Sequence, residues 1–126
     1  MLEILPVENK EKEAELLLPL NETPDTARIL FMQDGGEDIG FVAVKLIGST
    51  FVYLKFEIYG SENMMPFEKD IYMDILMRAG ASYGENHGAD SIETLGNQYN
   101  DFLKKKGFKT DFSHAFAPMS LIVHYE

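Results

Sequence analysis

Tyr99-Asn100-Asp101-Phe102-Leu103-Lys104-Lys105-Lys106-Gly107-Phe108 lies near the end of a stretch, Pro66 to Phe112, in which helix, strand, helix and strand follow with almost no spare loop. Gly107 stands where a left-handed residue terminates a helix, which lets Phe108 fold back on Leu103. Upstream, Pro66 suits a first helical position, and Phe67, Ile71, Tyr72, Ile75, Leu76, Ala79 and Tyr83 repeat at three- and four-residue spacing to about Glu85. Gly80 and Gly84 each cost this helix roughly 1 kcal/mol relative to alanine, which close packing on a sheet would offset. Gly88 ends the helix, Ser91 to Leu95 reads as a buried strand, and Asn97 caps the short helix that carries Tyr99, Phe102 and Leu103.

Working outward, Leu2, Ile4 and Leu5 predict a first or edge strand, and Glu8 to Leu20 a helix closed by Pro19 and Asn21. Ile29–Gln33, Ile39–Ile47 and Phe51–Tyr59 predict an antiparallel meander, turned at Asp34-Gly35-Gly36-Glu37-Asp38 and Gly48-Ser49-Thr50. In its third strand Val52, Leu54, Phe56 and Ile58 are expected on one face, with Tyr53, Lys55, Glu57 and Tyr59 on the other. Lys109–His114 and Met119–Tyr125 are expected as the last two strands, joined through Ala115-Phe116-Ala117-Pro118. The order predicts an α+β domain: a mixed, mostly antiparallel sheet of about seven strands flanked by three helices, its one parallel step made through the long helix.

The chain has 126 residues, suited to one domain over 1–126. No cysteine is present, so disulfides, thiol nucleophiles and thiolate metal ligands are excluded together. His87, His114 and His124 form no metal-ligand spacing, and no metal is expected. Twenty-one acidic against 11 basic residues give a formal net charge of -10, which repels phosphate backbones and anionic lipid. Nucleic acid and membranes are therefore not expected partners. With no secretory leader, transit peptide or membrane-length apolar run, a reducing cytoplasmic location is the expectation.

The element order, together with Ile39-Gly40-Phe41-Val42-Ala43-Val44, the Gly88-Ala89-Asp90 approach to the next strand and the Lys106-Gly107-Phe108 ending, resembles the GNAT family of acyl-CoA-dependent N-acyltransferases over nearly the whole chain. The resemblance implies that acetyl-CoA is the co-substrate and a primary amine the acceptor. It places the cofactor's pantetheine arm between splayed fourth and fifth strands and its pyrophosphate on backbone N–H groups opening the long helix. Helix N-termini attract anions and glycines let phosphates come close. The family's glycine-bearing loop falls here on Glu68 to Met73, which contains no glycine and brings Glu68 and Asp70 to the helix start, with Lys69 as the one cation. Gly60 and Ser61 are the residues that would form a displaced anion nest.

Transfer of an acyl group to an amine needs a base for the amine, donors for the oxyanion and a proton for the leaving sulfur. By the resemblance Glu57 is the candidate base, and backbone N–H groups from Ile58 to Gly60 are the partners of the acyl carbonyl. Alternatively, Lys55 and Glu57 form a plain charged pair on a solvated strand face. The tyrosine that often serves the family as acid corresponds to Leu103, which leaves Tyr59 or Tyr99 for that role. Asn97 is either a cofactor contact or simply a cap, and Lys104, Lys105 and Lys106 either meet a phosphate or suit the helix dipole. Glu93, and His114 with His124 across the last hairpin, are further titratable candidates. Met119–Tyr125, if at a sheet edge, would pair with a second copy to form a homodimer. The reading from another class is a binding or assembly module of the same fold without CoA-dependent activity.

Overall fold

The computed structural model describes residues 2–95, 99–110 and 114–122, the side chains of Leu95 and His114 excepted. The elements run β1 (Leu2–Pro6), α1 (Lys10–Leu17), β2 (Arg28–Asp34), β3 (Glu37–Ile47), β4 (Thr50–Ile58), α2 (Pro66–Asn86), β5 (Ser91–Leu95), α3 (Asn100–Lys105), β6 (Lys109–Thr110) and β7 (His114–Pro118). One seven-stranded sheet has the order β1-β2-β3-β4-β5-β7-β6. Every neighbouring pair is antiparallel except β4 with β5, which α2 connects in parallel as its length requires. The expected mixed sheet with three helices is present.

Each sheet face carries its own core. Leu30, Met32, Val42, Val44, Phe51, Tyr53, Phe56 and Ile58 pack with α2 and α3, while Ile29, Phe31, Phe41 and Ala43 pack with Val7 and Leu17. Asn9 starts α1 by accepting from the amides of Glu11 and Lys12 at 3.0 and 3.2 Å. The expected long helix stops at Leu17, and a 3-10 turn through Pro19 ends at Asn21, whose φ is +58°. Glu13, 1% exposed, accepts from Arg28 Nε and from the Ile29 amide, each at 3.0 Å, and so fastens α1 to the start of β2.

The register of β3 against β4 corrects the expected alternation. Ala43 faces Lys55 and Val44 faces Tyr53, so Leu54 is an extra residue on β4. Phe51 and Tyr53 therefore share the α2 face with Phe56 and Ile58, whereas Leu54 joins the opposite core. Tyr53 is fully buried, not a ligand-side residue, and its hydroxyl donates to the Met77 carbonyl at 2.5 Å.

The buried stripe of α2 is also rotated from the expected one. Its buried residues are Met73, Leu76, Met77, Gly80, Ala81 and Gly84, while Phe67 and Ile71 are 62% and 54% exposed. The glycines set the rotation: a Cβ at Gly80 would lie 2.8 Å from Tyr53 Cε1, and one at Gly84 would lie 2.5 Å from Phe51 Cγ. With no side chain at either position the helix settles on the two rings, which meet edge-on at 5.3 Å.

At the C-terminal end, Ala115–Pro118 is not a connection. It belongs to β7, which pairs with β5 along its whole length, and Met119–Leu121 is a 3-10 turn rather than the start of an edge strand. Ala115 and Ala117 are buried on the face covered by α2 and α3, where small side chains permit close packing. The strand start expected at Met119 is thus corrected. His124 lies outside the described residues, as does the remainder of that expected strand.

Candidate functional site

Pairing between β4 and β5 covers only Thr50–Tyr53 against Ser91–Thr94. Beyond it β4 continues to Ile58 without a β5 partner. The Tyr59 amide bonds to the Ile39 carbonyl on β3, so by strand alternation the backbone groups of Phe56 and Ile58 turn the other way, into the gap. A cleft of about 500 Å³ opens there, lined by Lys55–Ile58, by Ser61, by Pro66, Lys69, Asp70 and Met73 of α2, and by Tyr99, Asp101, Phe102 and Lys105 at α3.

Tyr99 spans the gap. Its hydroxyl accepts from the Phe56 amide at 3.0 Å and donates to the Phe56 carbonyl at 3.2 Å, standing in for the missing strand. Its ring meets Phe56 edge-on at 5.0 Å. Burial pushes the phenol above its usual range, the hydrogen bond to Phe56 partly opposes this, and the Glu57 carboxylate raises it further. Tyr99 is therefore a retained proton beside a carboxylate, within the gap.

The other candidates divide between this cleft and its surroundings. Glu57 lines the cleft with Lys55, whose Nζ lies 3.6 Å from its carboxylate, both about 40% exposed. Tyr59 lies outside the lining; its ring is 6.2 Å from Phe41, and burial first, then Asp38 and Glu57, push its hydroxyl upward. Ile58, Ser61 and Lys69 all line the cleft. Gly60, at φ +73°, makes the turn into Ser61, and the carbonyls of Gly60 and Ser61 accept from the amides of Asn63 and Met64. Asn97 lies outside the described residues, and Tyr99 occupies the cap position of α3.

At the start of α2, Pro66 has no N–H and the amides of Glu68 and Lys69 both bond to the Met65 carbonyl. The Glu68–Met73 segment, where the family's loop was expected, lies inside the regular helix α2. Leu103 is fully buried, the Gly107 φ of +95° is the expected left-handed stop, and the Phe108 amide returns to the Leu103 carbonyl at 3.0 Å. Of the three lysines only Lys105 lines the cleft. Glu93 faces a separate groove of about 420 Å³ with Lys109, Phe116 and Pro118.

Asp74 is a contributor that sequence reasoning missed. It takes Arg78 Nε at 2.9 Å and Lys106 Nζ at 3.0 Å, tying α2 to the helix that carries Tyr99. The Asp74–Arg78 spacing of four was visible in the sequence, but Lys106 comes from a different helix. Partial burial pushes the Asp74 carboxyl upward, yet the bonds from Lys106 and Arg78 together outweigh it and hold the group below its ordinary range. A depressed folded-state pKa gives stability that is present above the unfolded value, about 3.9, and lost as pH falls through the folded one. Urea midpoints of Asp74→Asn should accordingly lie below wild type at pH 7 and 5, and by a smaller margin at pH 3. A constant gap at all three would remove this linkage.

No protein-family profile matches the sequence, and no curated protein matches it either. Solved structures do match. An acetyltransferase assigned to the GNAT family from Desulfovibrio desulfuricans superposes with a TM-score of 0.67 at 7% identity, over 94% of this chain and 99% of that one. A Bacillus subtilis acetyltransferase in complex with CoA gives 0.69 at 17% identity, over 94% and 99%. The N-acetylglutamate synthase of Neisseria gonorrhoeae, complexed with coenzyme A and N-acetyl-glutamate, gives 0.68 at 8% identity; this chain covers 35% of its length. The fold is that of the GNAT acyltransferases.

Proposed function

We propose that the chain is an acyl-CoA-dependent N-acyltransferase that moves an acetyl group from acetyl-CoA to a primary amine of a small molecule or peptide. The observation that carries this reading is the unpaired length of β4, which opens a slot with Glu57 and Tyr99 on its walls. A thioester arm laid along β4 takes over the Phe56 amide and carbonyl from Tyr99, and the Ile58 amide faces the acyl oxygen. The amine nitrogen attacks the thioester carbon while Glu57, directly or through water, accepts the amine proton. Collapse of the tetrahedral intermediate breaks the C–S bond, and the thiolate takes a proton from Tyr99, with Tyr59 the less well placed donor. The products are the N-acetyl amine and free CoA.

A second reading, a binding module of this fold without CoA-dependent activity, is favoured by the regular helix from Pro66 onward and by Tyr99 already occupying Phe56. Calorimetric titration and thermal shift with acetyl-CoA separate the two. At a hundred times its dissociation constant the cofactor should add about 2.7 kcal/mol of stability to wild type. Tyr99→Phe should bind it more tightly, because no hydroxyl has to leave Phe56, and should turn over more slowly. Neither heat nor shift at millimolar acetyl-CoA would establish the module instead.

A further inference from the structure

We propose that the donor's phosphates are held by the side-chain ammonium groups of Lys69 and Lys105, from two different helices, in place of backbone donors at the start of α2; this rests on the thioester reading above. Backbone donors are scarce where α2 opens: Pro66 has no N–H, and Met65 takes the amides of Glu68 and Lys69. The cleft nonetheless presents three lysines. Lys55 is paired with Glu57, whereas Lys69 and Lys105 form no ion pair among the described residues. Lys106, next in sequence, is committed to Asp74. A thioester arm laid along β4 would run through the cleft that both cations line.

The same lining carries Asp70 and Asp101. Their charge opposes a phosphate, which makes the site weak, salt-sensitive and adjustable in both directions. A backbone nest reads the shape of a pyrophosphate. Two flexible ammonium groups read its charge.

The test compares acetyl-CoA with S-acetylpantetheine, the same thioester without the phosphates and adenosine, by calorimetry on the full chain at low and high salt. Lys69→Ala and Lys105→Ala should each weaken acetyl-CoA about three- to five-fold and leave acetylpantetheine unchanged, and Asp70→Asn should tighten acetyl-CoA by a similar factor. High salt should erase these differences. Wild-type affinity for acetyl-CoA in the double lysine variant overturns the assignment and leaves the thioester reading standing, as does an equal loss for both ligands. Wild type that binds neither ligand overturns both.

Discussion

Alanine at Gly40 is expected to destabilise the protein by about 2 kcal/mol and to distort the cleft wall. Gly40 faces Ile58 in the β3–β4 register, and an added methyl would collide with the Glu57 carbonyl oxygen and lie 3.1 Å from the Ile58 Cα. Both obstacles are backbone, so no change of rotamer relieves them. Alanine does gain roughly 0.5–1 kcal/mol over glycine in a strand through the unfolded chain's lost freedom. Overpacking against a fixed backbone costs about 1–3 kcal/mol and more when strands must separate, so the loss wins. Urea midpoints of the variant and wild type measure it, and a difference below 0.5 kcal/mol, on the order of an ordinary surface substitution, would show that the strands yield freely. Gly40 is thus a spacer beneath the candidate base.

Glu57→Gln should lower turnover by about 10²- to 10⁴-fold at neutral pH while acetyl-CoA affinity holds. The asymmetry is what makes this variant informative. The Lys55–Glu57 pair is half exposed, and such a pair is worth less than about 1 kcal/mol, so the fold survives its loss. A carboxylate that serves only that pair would leave turnover intact, and that result would remove Glu57 from the base role. With the base absent, residual activity should climb with pH as more of the acceptor amine becomes neutral by itself.

Much of this geometry was legible because local signals agreed. Pro66 opens α2, Ser91–Leu95 is β5, and Gly107 ends the short helix with Phe108 returned to Leu103, each fixed by residues within a few positions of one another. The errors all needed a partner strand or helix to resolve. Leu54 is an ordinary strand residue until its register with β3 makes it surplus. Phe67 and Ile71 fit a helical stripe perfectly well, but the glycines two turns later decide which face meets the sheet. Ala115-Phe116-Ala117-Pro118 looks like a connection because proline and small residues usually mark one, whereas here the alanines fit beneath helices.

The site was legible to the same depth. Glu57, Ser61 and Lys69 reach the cleft as strand parity and helix position suggest. Tyr99 was a candidate only as one aromatic among several; its bonds to the Phe56 backbone join residues 43 positions apart, and no local pattern records them. Glu13 was hidden likewise, a glutamate among charged neighbours that turns inward to a β2 amide.

The surplus residue at Leu54 has one more implication. A strand in strict alternation would commit all its odd positions to one side, so that Tyr53 and Glu57 would both be core or both face solvent. Slipping in a single residue resets the parity midway: Phe51 and Tyr53 support the long helix, and Lys55 and Glu57 are released to the opposite side. Scaffold and candidate site thereby occupy successive halves of one nine-residue strand, and deleting Leu54 would leave both sets of side chains on their present faces.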